Sequence, residues 1–180
     1  VQGLRSLVRK LGVDIYEDTL VTEYESGVVS TSFHQVKSRI ILRTTEGFSA
    51  NFKTYKRDLL PLNSAQVVTN PINKSIWSEI GWNKNELIGD YAHSYFYAQR
   101  TREDRIALGG RGIPYRFGSV TDKDGITQKN TIIALEKILY KHFPLVKEVG
   151  IDHAWCGTLG VSRDWCASVN FNKDTGLGWA

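Results

Sequence analysis

The stretch HSYFYAQRTREDRIALGG, residues 93–110, has the pattern of a β-hairpin. From His93 to Arg100 the residue pattern alternates with a period of two and aromatic residues are frequent. The charged triplet 102–104 indicates a turn, and a second extended segment follows over residues 105–109. A period of two indicates strands with one covered face. The stretch therefore predicts two antiparallel strands joined by a polar turn.

Helical and extended patterns surround this hairpin. Apolar residues recur at helical spacing over 128–142, where Pro144 ends the run, and again at the start of the chain up to Gly12. Residues 13–16 and 151–155 are typical of short strands. This mixture predicts an α+β fold with a mixed, largely antiparallel sheet and helices, preceded by part of an α/β unit.

Composition limits the classes of partner. The 180 residues are 41% hydrophobic, which is enough for one core, and no apolar run approaches the length of about 20 residues that a membrane span needs. The formal net charge is +4, but the 23 basic residues are scattered. A nucleic-acid surface requires a concentrated basic stripe. We therefore expect neither a nucleic-acid nor a membrane partner.

Two cysteines, Cys156 and Cys166, each lie beside a tryptophan in the dense closing segment. No further cysteine and no histidine at metal spacing accompanies them. This arrangement favours buried free thiols in a reducing compartment over a disulfide or a zinc site. We expect a cytoplasmic protein without a metal.

The closing segment WCGTLGVSRDWCASVNFNKDTGLGWA, residues 155–180, combines three Trp, four Gly and the Arg163-Asp164 pair. Trp supplies rigid apolar area, Gly lets the backbone approach a ring system, and Arg with Asp offers a fixed charge. This mixture predicts contact with a large flat ligand. Because the chain begins Val1-Gln2-Gly3 and ends on Trp-Ala, we expect a piece of a larger protein.

Several motifs are similar to those of FAD-dependent oxidoreductases of the D-amino-acid oxidase superfamily. The two long ones are QRTREDRIALGGRGIPYRFGS, residues 99–119, and WCGTLGVSRDWCASV, residues 155–169. Shorter matches lie at residues 12–22, 43–49 and 175–180. The 155–169 block most resembles the branch that contains γ-glutamylputrescine oxidase-like enzymes.

The resemblance implies three parts of such an enzyme. Residues 1–58 correspond to a remnant of a Rossmann-like FAD-binding domain, residues 59–154 to the substrate-binding domain, and residues 155–180 to a segment returning toward the FAD-binding domain. The Gly-x-Gly-x-x-Gly turn that holds the FAD pyrophosphate is absent from the sequence. We therefore expect the chain alone to lack bound FAD, and to be colourless and inactive.

The resemblance also implies roles for individual residues around the cofactor. Val21 would bind the adenine through its backbone, and Trp155 with Gly157 would border the isoalloxazine ring. Arg163 and Asp164 would lie near the flavin or a substrate carboxylate. Each role has a structural alternative. Val21 could be an ordinary strand residue, Trp155 a core tryptophan at a strand end, and Arg163 with Asp164 a turn-stabilising ion pair.

On the substrate side, Tyr95 and Tyr97 share a strand face and could line a pocket over the flavin, or could simply pack a sheet. Arg111 could reach a substrate carboxylate. The implied reaction is oxidation of a C–N bond of an amine or amino acid by hydride transfer to flavin, with oxygen as the expected acceptor. The sequence does not assign a catalytic residue.

Two other interpretations stay open at this point. The chain could be a non-catalytic α+β module that binds a ligand or partner through an aromatic sheet face. Within flavoenzymes, a dehydrogenase that passes electrons to a carrier is the alternative to an oxidase. Exposed strand edges would also allow copies of the chain to pair as a homo-oligomer.

Overall fold

A computed structural model describes residues 1–93, 95–110, 115–122 and 124–180. Contacts divide the chain into two compact units, one of Val1–Thr44 with Ala167–Ala180 and one of Thr45–Cys166. The predicted domains 1–58, 59–154 and 155–180 follow from the family resemblance and not from contacts, and they stay a prediction.

The first unit begins with a helix and a small sheet. Its opening elements are α1 (Gln2–Lys10), β1 (Val21–Glu25), β2 (Val28–Thr31) and β3 (Gln35–Lys37). The three strands are antiparallel in the order β1-β2-β3. Helix α1 buries none of its residues within the structure.

The expectation of a buried strand at residues 13–16 is wrong. These residues form no strand, and the side chains of Val13 and Tyr16 are 51% and 77% exposed. An extended segment becomes a strand only when a neighbour accepts its backbone hydrogen bonds, and no described strand pairs with this one.

A second small sheet connects the two segments of the chain that make up this unit. It contains β4 (Ile41–Arg43), β10 (Asn170–Asn172) and β11 (Leu177–Trp179). Strand β11 pairs antiparallel with β10 and parallel with β4. At the turn into β11, Gly176 has a φ of +69° and its carbonyl accepts a hydrogen bond from the Ile41 amide at 3.0 Å.

The second unit is built on a five-stranded antiparallel sheet in the order β6-β7-β8-β5-β9. Its strands are β5 (Leu59–Thr69), β6 (Leu87–Gly89), β7 (Phe96–Arg100), β8 (Ile106–Gly110) and β9 (Ile151–Ser162). Strands β7 and β8 confirm the predicted hairpin. Strand β9 continues through the glycines beyond residue 155, because β5 offers it a partner along its whole length.

Two helices cover one face of this sheet. They are α2 (Lys74–Ile80), which is capped by the Asn73 side chain, and α3 (Lys129–His142), which confirms the predicted helix before Pro144. The buried core lies between the helices and the sheet. It consists of Ala65, Val67, Ile72, Trp77, Trp82, Phe96, Ala98, Ile106, Leu108, Leu135, Leu139, Phe143 and Val146.

Short 3-10 helices at Glu46–Asn51, Lys53–Tyr55 and Pro144–Val146 complete the second unit. The architecture is α+β, with largely antiparallel sheets and few helices, as the sequence predicts. Among the described residues the longest helix has 14 residues, and none has the length and hydrophobicity needed to cross a bilayer.

Candidate functional site

The sheet face opposite the helices carries a row of side chains that crosses four strands. The register pairs Tyr97 with Gly109, Gly109 with Gln66, and Gln66 with Trp155. Directly paired residues point to the same face of a sheet, while Phe96, on the other face, packs into the core. We call Tyr97, Gly109, Gln66 and Trp155 the Tyr97–Trp155 row.

The phenol ring of Tyr97 lies flat against the backbone of Gly109. A Cβ placed on Gly109 would lie 2.5 Å from both Cε2 and the hydroxyl oxygen of Tyr97, so only glycine leaves room for the ring. The Gln66 Nε2 donates a hydrogen bond to the Tyr97 hydroxyl at 3.4 Å. The ring of Tyr97 is thus held along the sheet, with its hydroxyl close to the central strand.

Gly157 lies on the same face, two residues along β9 from Trp155 and opposite Ser64. It is exposed, a Cβ there would meet no atom of the described residues within 4 Å, and its φ lies outside the left-handed region. Glycine in a strand interior is destabilising and often marks a close approach by a ligand or by another backbone. In the part of the chain that the structure describes, neither packing nor backbone conformation requires glycine at this position.

Gly160 on the same strand is a useful contrast. A Cβ on Gly160 would lie 2.6 Å from the Glu46 carboxylate and 2.7 Å from the Gly47 nitrogen. Its amide donates a hydrogen bond to the same carboxylate. Gly160 is therefore required by packing inside the unit, whereas no described residue fills the space over Gly157.

Trp155 is half-buried and is not part of the hydrophobic core. Its ring stacks on His153 with a centroid separation of 5.8 Å and an interplanar angle of 14°. The two residues precede Gly157 on β9, so this end of the row has a pair of stacked aromatic rings beside an exposed glycine.

Arg163 and Asp164 lie in the exposed turn after β9 and do not pair with each other among the ion pairs of the described residues. The Arg163 Nε donates to the Arg57 carbonyl. The Asp164 carboxylate accepts from the Cys166 amide at 3.0 Å, and this bond, followed by one from Ser162, holds the pKa of Asp164 below its usual range. Both residues therefore shape the turn.

The remaining predicted residues are spread more widely. Val21 begins β1, an edge strand of the first unit, and is half-buried. Tyr95 directly precedes β7 and is 45% exposed. Arg111 lies outside the described residues. The structure thus brings together Tyr97, Trp155 and Gly157, and adds Gln66 and Gly109, which the sequence analysis missed.

No group of three or more His, Cys, Asp or Glu side chains within the described ranges could hold a metal ion. The two cysteines are free, but the expectation that both are buried is wrong, because Cys156 is half-buried and Cys166 lies exposed in the turn after β9. Cys156 points away from the Tyr97–Trp155 row, because it is paired with Ala65 on the covered face. Its burial, together with the nearby Asp122 carboxylate, raises the pKa of its thiol.

We expect alkylation with iodoacetamide to proceed in two phases, with Cys166 reacting first. The thiolate is the nucleophile, so a raised pKa and partial burial both slow the reaction of Cys156. The rate for Cys156 should still rise with pH above the ordinary thiol range. Peptide mapping by mass spectrometry identifies each phase, and Cys166→Ser should remove only the fast one. Equal rates at the two sites would contradict the described environment of Cys156.

The same fold occurs in solved structures of an oxidase and a dehydrogenase that act on amino acids, and of a fructosyl peptide oxidase. A glycine oxidase from Geobacillus kaustophilus matches with a TM-score of 0.71 and 14% identity, over 93% of this chain and 43% of that one. L-proline dehydrogenase from P. horikoshii matches with a TM-score of 0.69 and 18% identity, over 95% and 46%. A modified fructosyl peptide oxidase from Aspergillus nidulans matches with a TM-score of 0.73 and 8% identity, over 99% and 48%.

The chain thus spans less than half the length of these proteins, and the identities are low enough that the likeness is one of fold. No curated protein matches the sequence. The sequence profile described as FAD dependent oxidoreductase, DAO, matches residues 1–172, nearly the whole chain. The chain therefore belongs to the DAO family of FAD-dependent oxidoreductases.

Proposed function

We propose that this chain is the substrate-side part of a longer FAD-dependent enzyme that oxidises a C–N bond of an amine or amino acid. The family match supports the cofactor, and the coverage of 43–48% in the structures compared above supports a longer protein. The names of those proteins, glycine oxidase, L-proline dehydrogenase and fructosyl peptide oxidase, support the substrate class.

The observation that carries the proposal is the open glycine beside the aromatic stack. Among the described residues Gly157 has no packing reason to be glycine, and the stacked rings of Trp155 and His153 lie two and four residues earlier on β9. A planar ring system can approach the backbone only where no Cβ projects. These residues fit the isoalloxazine end of FAD. The sequence contains no Gly-x-Gly-x-x-Gly turn, so in this proposal residues outside this sequence would bind the FAD pyrophosphate.

When bound, FAD supplies the hydride acceptor for the oxidation. The chain itself would position the reactants. Trp155 would form a rigid wall of the cofactor site, and Gly157 would permit close approach. Tyr97, held by Gly109, would orient the substrate with Tyr95 and Arg111. Arg163 with Asp164 would keep the turn after β9 in place near the flavin. The role of Val21 at the adenine is proposed separately, from the motif resemblance alone.

We propose further that the enzyme belongs to the γ-glutamylputrescine oxidase-like branch, uses oxygen as acceptor and works in the cytoplasm. The 155–169 motif supports the branch, and two free cysteines support a reducing compartment. Release of hydrogen peroxide during turnover separates an oxidase from a dehydrogenase. We also propose that the chain alone does not retain FAD, and that its exposed strand edges allow copies to pair.

Replacing Gly157 tests the cofactor site. In the full-length protein, Gly157→Val should weaken FAD binding by about 10-fold to 100-fold, because the new side chain occupies the space the ring needs. The fold should stay intact, since valine favours strands and meets no neighbour here. Flavin absorbance of the purified protein and a fluorescence titration with FAD measure the loss.

Thr158→Val is the matched control. Thr158 is the next residue of β9, and its methyl group packs toward Gly47, away from the open face. The nearly isosteric change should leave FAD binding unaltered. Equal flavin content in the wild type and Gly157→Val would mean that no ring lies on Gly157, and the proposed cofactor site would be wrong.

A further inference from the structure

Gln66 holds the centre of the Tyr97–Trp155 row. It lies on β5, between β8 and β9, with Gly109 as its partner on one side and Trp155 on the other. Its side chain is half-buried on the open face. A polar side chain at this position meets whatever lies against the row.

The contact between Gln66 and Tyr97 fixes which hydrogen-bonding groups remain. The Gln66 Nε2 donates to the Tyr97 oxygen at 3.4 Å. The Tyr97 hydroxyl therefore keeps its own proton to donate, and the Gln66 Oε1 keeps its lone pairs to accept. The pair presents one donor and one acceptor, side by side.

The surrounding face is neutral. In the described strands of this sheet, the residues that share the face with Gln66 include no Lys, Arg, Asp or Glu. The set consists of Leu60, Leu62, Ser64, Gln66, Val68, Leu87, Gly89, Tyr97, Gln99, Ala107, Gly109, His153, Trp155, Gly157, Leu159 and Val161. A charged group placed directly against the strand positions around Gln66 would lose water without an opposite charge on these strands, since the charged side chains beside Val68 and His153 lie at the end of the face.

We propose that Gln66 determines substrate specificity by binding a neutral polar group that both donates and accepts a hydrogen bond. The inference rests on the proposed function and deepens it. A hydroxyl or an amide on the amine substrate satisfies the Gln66 Oε1 and the Tyr97 O–H together. A carboxylate can only accept and an ammonium can only donate, so each leaves one member of the pair unsatisfied. A methyl group leaves both unsatisfied.

The test compares substrates that differ in one terminal group. The full-length, FAD-loaded protein is mixed anaerobically with a homologous series of amino alcohols and with alkylamines in which methyl replaces the hydroxyl. The measured quantity is the second-order rate constant of flavin reduction, and its ratio for hydroxyl over methyl should exceed one in the wild type. It should fall about tenfold in Gln66→Met, which keeps the shape and removes the hydrogen bonds.

Gln99→Met is the matched control, because Gln99 shares the face but lies outside the row and is exposed. Its substrate ratio should equal that of the wild type. Gln66→Asn provides a second variant that stays polar but withdraws the amide, and it should also lose most of the preference. Should Gln66→Met not fold, the comparison rests on Gln66→Asn.

A spectroscopic readout separates a specificity role from a structural one. Fluorotyrosine labelling, with the Tyr97 resonance assigned from Tyr97→Phe, reports on the hydroxyl by fluorine NMR. Adding an amino alcohol should shift this resonance in the wild type, and the matched alkylamine should not.

The possible outcomes distinguish this inference from the proposed function. Flavin reduction by amines with an unchanged ratio in Gln66→Met would overturn the role of Gln66 and leave the enzyme assignment standing. An FAD-loaded protein that is reduced by no amine of either series would overturn both.

Discussion

Gly160→Ala is expected to destabilise the chain by about 2–3 kcal/mol, because overpacking of a tight contact forces backbone to shift. The new Cβ would lie 2.6 Å from the Glu46 Oε2, 2.7 Å from the Gly47 nitrogen and 2.8 Å from the Glu46 carbonyl carbon. Two of these atoms are backbone, so a rotamer change cannot relieve the clash. The free energy of unfolding from urea titrations, followed by tryptophan fluorescence, measures the effect.

Gly157→Ala is the control on the same strand. Its Cβ meets nothing within 4 Å, and alanine restricts the unfolded chain more than glycine does. We expect this variant to be neutral or more stable by up to about 1 kcal/mol. Equal free energies of unfolding for the two variants would show that the 3-10 helix Glu46–Asn51 does not pack against β9 as described.

Leu135→Ala is expected to cost about 3 kcal/mol, within the range of 2–5 kcal/mol for large-to-small changes in cores. Leu135 is 0% exposed and packs from α3 onto the sheet, where its Cδ2 would lie 3.4 Å from a Cβ on Gly110. Removing it leaves a cavity between helix and sheet.

Ile133→Ala on the same helix is the comparison, since Ile133 is 37% exposed and points away from the sheet. We expect it to cost less than about 1 kcal/mol. Urea titrations of both variants give the difference directly. A smaller loss for Leu135→Ala than for Ile133→Ala would contradict the described packing face of α3.

The sequence predicts the local elements well where periodicity and end signals agree. The hairpin of β7 and β8 and the helix α3 follow from alternation, from helical spacing and from Pro144. The strand expected at residues 13–16 is wrong, because hydrophobic character alone does not provide a partner for hydrogen bonding.

The candidate site is harder to predict, because it depends on register. Alternation along β5 shows that Gln66 and Val68 share a face, but only the pairing of β5 with β8 and β9 places Gln66 between Gly109 and Trp155. In the same way, the sequence shows glycines at 157 and 160 without distinguishing them. Their difference lies in the 3-10 helix that packs on one and not on the other.

The parallel pairing of β4 with β11 has a consequence for biosynthesis. Strand β4 emerges from the ribosome early, but its partner Leu177–Trp179 lies near the far end of this chain. At elongation rates of roughly 5–20 residues per second, β4 waits on the order of ten seconds with one backbone edge unsatisfied. The unit Thr45–Cys166 is complete before β11 exists. The sheet that contains β4 and β11 therefore cannot be complete until after the whole of the Thr45–Cys166 unit has been synthesised.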